Sequence, residues 1–457
     1  MKDRELQREV HERANALDVP GAAVGVFVDG HAEYAFWGVT SVDHPLPVDA
    51  GTLFQIGSTG KTYTGTVIMQ LVEQGRVDLA APVRTYLPEF QLKDEAVAGE
   101  VTVLQTLNHT AGWDGDFFED QGEGDDALAR YVARMNSIEQ VTPLGDTVSY
   151  NNASLAVAGR IIEVVTGRTY EQAVREMLLD PLGLERSFFF PHEIMTERFA
   201  VGHHRSQEGE VLVARPWHTG RYGNPMGGMV SNAADQIAWA RFHLDGGVAS
   251  DGARLLAEDL VRRMQEPTVE CPGSAIGDAI GISWLLRDVE GVRVVAHGGT
   301  TVGQHSVFEM VPSRGFALTS LTNCGPNGPE FNEAITRWAF STYLGIEVRD
   351  PEPIALDVEA LAPYAGIYET IASICEVTVS GGNLLLDART KPEILEQLGE
   401  DEPDETPMPL GLLAGEGDRY VVTDGSAKGR KGYFRRGADG EVDALHVGGR
   451  LAVRVDA

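Results

Sequence analysis

Hydrophobic residues in the first 350 positions follow strand-like spacing at both ends of the segment and helical spacing between them. Two apolar runs, 22–28 and 32–38, flank Asp29-Gly30, a pair typical of tight hairpin turns. Helical spacing of apolar positions predicts helices over 3–16, 62–74, 155–166, 235–244 and 330–344. Later apolar runs predict short strands over 280–286, 292–296, 305–311 and 315–322. We therefore expect one sheet, formed from the two ends of a domain, with helices inserted between them.

A change of pattern near residue 350 predicts a second domain. The segment 349–353 is charged and contains two prolines, which is typical of a linker. Short strand-like runs divided by Gly and Asp follow, over 374–380, 383–387, 420–423, 433–436, 444–447 and 451–455. This pattern indicates a small β-barrel or sandwich of about 100 residues. We predict a larger domain over 1–348 and a β domain over 349–457, with the acidic run 400–405 as a solvated loop.

The charge of the chain excludes several classes of partner. Its 457 residues carry 68 acidic and 37 basic side chains, a formal net charge of −31. A protein this acidic lacks the basic face that nucleic acid or an anionic membrane requires. No run approaches 18 apolar residues, and the polar N-terminus lacks the apolar core of a signal peptide. We therefore expect a soluble cytoplasmic protein that does not bind nucleic acid or insert in a membrane.

Cysteine and histidine spacing gives no indication of a disulfide framework or a metal site. Cys271, Cys324 and Cys375 lie far apart along the chain. His203, His204 and His218 have no third ligand at useful spacing. The sequence implies neither a metal nor an organic cofactor.

The first candidate site is Ser58-Thr-Gly-Lys61, which lies between a strand-like segment and the predicted helix 62–74. A serine at a helix N-terminus faces free N–H groups that stabilise a developing anion. The lysine three residues later lies one turn away on the same face, where its amine can activate the serine oxygen. A capping serine beside a surface lysine is the alternative explanation of this motif alone.

Two further motifs carry groups that suit acyl transfer. Tyr150-Asn-Asn152 precedes the predicted helix 155–166 and offers a phenol for proton transfer and an amide for a substrate carbonyl. His297-Gly-Gly299 follows the predicted strand 292–296, where glycines let a substrate backbone approach. The peptide N–H of Thr300 and that of Ser58 are candidates for an oxyanion hole. Each motif alone also fits an ordinary helix start or a Gly-rich hairpin.

The ordered set Ser-x-x-Lys, Tyr-x-Asn and His-Gly-Gly resembles the penicillin-recognising serine hydrolase superfamily, which includes β-lactamases, DD-peptidases, D-aminopeptidases and esterases. The resemblance covers roughly residues 5–345. It implies an α/β (α+β) β-lactamase/transpeptidase-like domain, with an antiparallel sheet and a helical subdomain. It also implies that Ser58 is the nucleophile, that Lys61 and Tyr150 share the acid and base work, and that Asn152 orients substrate. The segment 363–368 resembles the opening of the lipocalin-like antiparallel β-barrels appended to some of these peptidases.

The third motif departs from the β-lactamase pattern, because His297 stands where those enzymes carry a lysine that holds the substrate carboxylate. Imidazole is mostly neutral at pH 7, which weakens the case for a β-lactam substrate. A His-x-Gly motif is similar to that of the D-aminopeptidase branch, so small peptides or amides are the expected substrates. The acidic loop 114–126 would favour a substrate ammonium group if it lies near the site.

Two alternative functions remain open from the sequence. One is a carboxylesterase that acts on short acyl esters, and the other is a catalytically silent binding protein with the same fold. The expected partner is a small-molecule or short-peptide substrate. Self-association into a homo-oligomer through the C-terminal domain is also left open.

Overall fold

The N-terminal hairpin forms one edge of an eight-stranded antiparallel sheet. In the computed structural model, which describes residues 2–206, 208–217, 220–398, 406–415, 417–425 and 427–455, strand β1 (Gly21–Val28) pairs with β2 (His31–Gly38). Asp29 and Gly30 both have positive φ, as the hairpin turn requires. The acidic run 400–405 and His218 lie outside the described residues. The next ten strands are β3 (Phe54–Gln55), β4 (His203–Arg205), β5 (Val211–Val213), β6 (Val230–Ser231), β7 (Val269–Ser274), β8 (Gly277–Ile280), β9 (Leu285–Val289), β10 (Val292–Thr301), β11 (Gln304–Val311) and β12 (Phe316–Thr322).

The main sheet joins the two ends of the larger domain. Its strand order is β2-β1-β12-β11-β10-β9-β8-β7, and β1 pairs directly with β12. The predicted strand 280–286 is wrong in one respect: Gly281 donates to the carbonyl of Trp284, and Ser283 has positive φ, so the segment turns between β8 and β9. Strands β3 and β6 form one small ribbon beside this sheet, and β4 and β5 form another.

Helices cover both faces of the main sheet. The described α-helices are α1 (Lys2–Ala16), α2 (Lys61–Glu73), α3 (Glu95–Glu100), α4 (Val103–Leu107), α5 (Ala127–Arg134), α6 (Asn152–Thr166), α7 (Tyr170–Val174), α8 (Asp180–Leu182), α9 (Pro191–Ile194), α10 (Ala233–Leu244), α11 (Glu258–Met264), α12 (Asn327–Ala339), α13 (Val358–Leu361) and α14 (Pro392–Leu398). The last two belong to the C-terminal part of the chain rather than to the main sheet. Helices α1 and α12 pack on one face, over a core that includes Leu6, Val10 and Phe331. The larger core lies on the other face, between the sheet and the helical subdomain built around α2 and α6. No described helix has the length and apolar composition needed to span a bilayer.

The C-terminal strands close into an eight-stranded antiparallel barrel. They run in chain order as β13 (Gly366–Glu369), β14 (Ser373–Ser380), β15 (Asn383–Thr390), β16 (Met408–Leu412), β17 (Arg419–Val422), β18 (Lys431–Arg436), β19 (Val442–Val447) and β20 (Arg450–Arg454). The barrel interior is filled by side chains that include Tyr368, Tyr420 and Phe434. The predicted fold class, an antiparallel sheet with helices followed by an antiparallel barrel, is confirmed. Strands β4 to β7, β13 and β16 were not predicted, because they are short or their apolar residues do not alternate over enough positions.

Candidate active site

Ser58 lies where the chain leaves β3 and enters α2. A single 3₁₀ turn, Gly57–Gly60, joins the two elements, and Gly57 adopts a positive φ that directs the chain into the turn. Ser58 is only partly buried, whereas its neighbours Thr59 and Gly60 are fully enclosed. The serine hydroxyl is therefore accessible, although the residues that follow it into α2 are buried.

Lys61 is the first residue of α2 and has no exposed surface. Its Nζ atom lies 2.9 Å from Oγ of Ser58, and it donates to Oδ1 of Asn152 at 2.7 Å and to the carbonyl of Met226 at 2.5 Å. Burial lowers the pKa of this amine well below its usual value, and Arg450 lowers it further while Asp116 opposes the change. A lysine in this environment favours its neutral form far more than a surface lysine does.

Tyr150 and Asn152 flank the start of α6. The side chain of Asn151 caps this helix by accepting from the N–H of Ser154, which fixes the two flanking residues relative to the helix axis. The Tyr150 ring lies 5.0 Å from Nζ of Lys61, and its hydroxyl is hydrogen-bonded with Ser58. Burial raises the pKa of Tyr150, and the bond with Ser58 only partly offsets that rise. The tyrosine is therefore a protonated phenol near neutral pH.

Strand β10 passes directly behind Ser58. A Cβ atom at Gly299 would lie 1.9 Å from the carbonyl oxygen of Ile56 and 2.7 Å from the N of Ser58, so only glycine allows this approach. A Cβ atom at Gly57 would lie 2.8 Å from the N of Thr300. The peptide groups of Ser58 and Thr300 thus belong to two backbone segments in close contact.

His297 lies within β10 rather than beyond its end, because the strand continues through Gly298 and Gly299 to Thr301. The residue is 2% exposed, and its Nδ1 donates to the carbonyl of Gly298 at 2.7 Å. Burial, with a further contribution from Lys61, lowers the pKa of His297 to about 3. This position therefore supplies no cation at neutral pH.

The structure thus brings all three sequence motifs to one place. Ser58, Lys61, Tyr150 and Asn152 are in direct contact, and His297 lies beside Tyr150 with 6.3 Å between ring centroids. A second histidine, His109, also packs against the Tyr150 ring, with 4.4 Å between ring centroids, and its Nδ1 accepts from the N–H of Asn151. Within the described residues, no cluster of three His, Cys, Asp or Glu side chains has the arrangement of a metal site.

Sequence reasoning missed two charged residues at the site, Asp116 and Arg450. Asp116 belongs to the acidic loop 114–126 and accepts from Nδ2 of Asn152 at 2.8 Å. Arg450, at the start of β20 in the barrel, donates from Nε and Nη2 to the two oxygens of Asp116. Burial favours the neutral acid, but Arg450 and Asn152 outweigh it and hold the pKa of Asp116 below its usual value. The glycine pair Gly448-Gly449, ahead of Arg450, was the sequence signal that could have drawn attention to this turn.

The acidic loop lies close to the site, but much of its charge is paired. Arg134 binds Glu119, Arg221 binds Asp125, and Arg130 binds Asp126. The expected attraction of the loop for a substrate ammonium is accordingly weaker than its seven acidic residues suggested.

Comparison with known proteins identifies relatives over most of the chain. Residues 6–343 match the sequence profile of the Beta-lactamase family. Penicillin-binding protein 4 of Amycolatopsis lactamdurans is 37% identical over 371 residues, which cover 78% of this chain and 96% of that protein.

Two solved structures extend the comparison to the fold. SurE is 26% identical with a TM-score of 0.75 over 99% of both chains, and it has also been crystallised with D-Leu. The D-amino acid amidase of Ochrobactrum anthropi is 22% identical with a TM-score of 0.61, over 74% of this chain and 96% of that one. The similarity to SurE includes the barrel, whereas the similarity to the amidase covers about the length of the larger domain.

Proposed function

Because this chain belongs to the beta-lactamase family of serine hydrolases, we propose that it hydrolyses small peptide or amide substrates through an acyl-enzyme formed at Ser58. The observation that carries the proposal is the hydrogen-bonding pattern of Lys61. Two of its three neighbours, the Asn152 side-chain oxygen and the Met226 carbonyl, are acceptors only. A neutral amine satisfies both with its two N–H groups, and its lone pair then remains for the hydroxyl of Ser58 at 2.9 Å.

In this proposal Lys61 is the general base. It takes the Ser58 proton as Oγ attacks the substrate carbonyl carbon, and burial favours the neutral amine that this step requires. Tyr150 is the general acid, since burial keeps its phenol protonated and it is hydrogen-bonded with Ser58. The phenol donates its proton to the leaving amine and is reprotonated from Lys61. Water then attacks the ester carbonyl and releases the acid and free Ser58.

The remaining motif residues stabilise charge and orient substrate. The N–H groups of Ser58 and Thr300 are proposed as donors to the tetrahedral oxyanion, because Gly57 and Gly299 let their two backbone segments approach closely. The Asn152 amide is proposed to orient the substrate carbonyl. His297 and Gly298 line the same strand as a neutral wall of the cleft.

The proposed substrate class is a D-amino acid amide or a short peptide with a D-residue at the cleaved bond. The D-Leu complex of SurE supports D-residues at such a site, and the amidase of O. anthropi has the same fold. The uncharged His297 disfavours β-lactams, whose carboxylate is held by a lysine at the corresponding place in β-lactamases. We expect β-lactam hydrolysis to be slow.

The nucleophile is tested by labelling with a fluorescent fluorophosphonate. Wild-type protein should form a covalent adduct on the peptide that contains Ser58, and Ser58→Ala should form none. Ser137→Ala, which alters an exposed serine in the short turn after α5, is the matched control and should label fully. Equal labelling of Ser58→Ala and wild type would reject the proposed nucleophile and favour a catalytically silent protein.

The substrate class is tested by comparing kcat/KM for matched substrates. The panel is D-leucine and L-leucine p-nitroanilides, p-nitrophenyl butyrate and a chromogenic cephalosporin. The proposal expects the D-anilide to exceed the L-anilide, with the cephalosporin slowest. Faster turnover of the butyrate than of both anilides would favour the carboxylesterase instead.

A further inference from the structure

We infer that Arg450, carried by the C-terminal barrel, is a positioning residue of the Ser58 site, which acts through Asp116 to orient the Asn152 amide and to set the charge around Lys61. The inference deepens the proposed function and rests on it. It gives the barrel a role inside the catalytic site rather than beside it.

An unbroken series of side-chain contacts joins the barrel to the serine. Arg450 donates to both oxygens of Asp116, with 3.0 Å between Nη2 and Oδ1. Asp116 accepts from Nδ2 of Asn152 at 2.8 Å, and Oδ1 of Asn152 accepts from Nζ of Lys61 at 2.7 Å. Lys61 contacts Ser58. Arg450 itself does not touch the serine, so it acts through the intervening residues.

Asp116 fixes the orientation of the Asn152 amide. An ionised carboxylate only accepts hydrogen bonds, so it holds the NH₂ end of the amide and leaves the oxygen end facing Lys61. If Asp116 were protonated, it could donate, and the amide could rotate by half a turn to present NH₂ to Lys61. Asp116 is 6% exposed, and a carboxylate this buried needs a paired cation to remain ionised. Arg450 supplies that cation in bidentate geometry.

The barrel holds Arg450 firmly in this place. Gly448 and Gly449 both have positive φ and form a two-residue turn between β19 and β20, with Val447 paired to Arg450. Nη1 of Arg450 also donates to the carbonyl of Gly448 at 3.1 Å. The guanidinium lies over the Tyr150 ring, 5.1 Å from its centroid. Turn and ring together restrict the arginine to the orientation that binds Asp116.

The same ion pair supplies charge near Lys61. The titratable groups around this amine in the described chain are His109, Tyr150, His297, Asp116 and Arg450, with Asp114 beyond Arg450. Burial lowers the pKa of both histidines and raises that of the tyrosine, so these three are uncharged near neutral pH. Arg450 therefore favours the neutral amine of Lys61, and Asp116 favours its ammonium form.

The test compares the pH dependence of kcat/KM for D-leucine p-nitroanilide in Arg450→Met and Asp116→Asn. We expect both variants to lose about 100-fold at pH 7, because the Asn152 amide is no longer fixed. The ascending limb of the pH profile, where Lys61 loses its proton, should move to higher pH in Arg450→Met, since the guanidinium that destabilises the Lys61 ammonium is gone. It should move to lower pH in Asp116→Asn, since the remaining guanidinium destabilises that ammonium.

Three further variants control for loss of structure. Arg450→Lys keeps the cation, so its ascending limb should stay near that of wild type while the rate recovers in part. The double variant Arg450→Met/Asp116→Asn removes both charges and should return the limb toward the wild-type pH while the rate stays low. Arg435→Met removes a similar bidentate pair with Asp443 elsewhere in the barrel and should leave both limb and rate unchanged.

The inference is overturned if Arg450→Met and Asp116→Asn move the ascending limb in the same direction, or if neither variant moves it. Loosening of the barrel alone would act alike on both variants. Ser58→Ala separates this failure from that of the proposed function. If Ser58→Ala is inactive while the two limbs move together, the inference fails and the proposed function stands. If Ser58→Ala keeps its activity, the proposed function fails.

Discussion

The backbone N–H of Tyr150 donates to the carbonyl of Gly449 at 2.8 Å, which ties the tyrosine of the candidate active site to a hairpin turn of the barrel. Two more hydrogen bonds reinforce this contact: Leu451 N–H donates to Oγ of Ser149 at 3.2 Å, and Ile371 N–H donates to Asp114 at 2.7 Å. Turns of the barrel therefore form one wall of the site.

This contact predicts that Gly449→Ala lowers kcat/KM by about 10- to 100-fold. A Cβ atom there would lie 2.6 Å from Cγ2 of Ile276, so the turn must shift and carry Tyr150 and Arg450 with it. Gly440→Ala is the matched control, because Gly440 has the same φ of +86° and open space around it. Both variants should lose about 1 kcal/mol of unfolding free energy in urea titrations, but only Gly449→Ala should lose activity. Equal rates in the two variants would contradict the role of the turn.

Lys61→Met should lower kcat/KM by at least about 10³-fold, because the Ser58 hydroxyl loses its proton acceptor. Lys93→Met, which removes an exposed lysine paired with Glu139, should keep the wild-type rate. In wild type the rate should rise with pH through the pKa of Lys61, which burial places well below the ordinary lysine value of about 10.4. A pH profile of kcat/KM that rises only near pH 10 would show an ordinary lysine and contradict the assigned base.

Gly299→Ala should lower kcat/KM by at least about 100-fold, because its Cβ would push Ile56 and Ser58 away from β10 and separate the two proposed oxyanion donors. Gly298→Ala provides the comparison one residue away, where the nearest atom to an added Cβ is the Ser306 carbonyl oxygen at 3.2 Å. Its loss should be much smaller. The distinguishing readout is kcat/KM for a chromogenic anilide, with circular dichroism as the check on folding.

Buried histidines predict that the protein loses stability in mild acid. Burial lowers the pKa of His243 and His297 to about 3 and that of His305 and His446 to about 4, so the folded protein binds fewer protons than the unfolded chain below pH 6.5. Their contribution to the free energy of unfolding is complete above pH 6.5 and decreases toward pH 4, by roughly 1 kcal/mol per pH unit for each histidine.

His243 isolates this effect, because it lies in the core against Trp239 and Trp284 and is not one of the candidate site residues. His243→Leu should flatten the pH dependence of urea unfolding between pH 6.5 and 4 relative to wild type. An unchanged slope would mean that His243 is not buried in its neutral form.

The local sequence predicted most of the turns, helix starts and short motifs that depend on local interactions. The Asp29-Gly30 turn and the helix that begins beside Ser58 both form as the pattern indicated. The three candidate motifs were recognisable because each spans only three or four residues, and residues this close in sequence keep a fixed geometry on one helix or strand. The fold class followed from the order of the elements.

Tertiary structure determined which charged side chains lie around those motifs and which side chains are uncharged. The Arg450–Asp116 pair joins residues 334 positions apart, and no periodicity or spacing relates a barrel turn to a distant acidic loop. The buried, neutral state of His297 likewise depends on the neighbours that enclose it, which only the packed structure specifies. The sequence by itself determined which side chains were available for acyl transfer. Long-range packing determined their protonation, because desolvation and nearby charge depend on distances that only the folded chain sets.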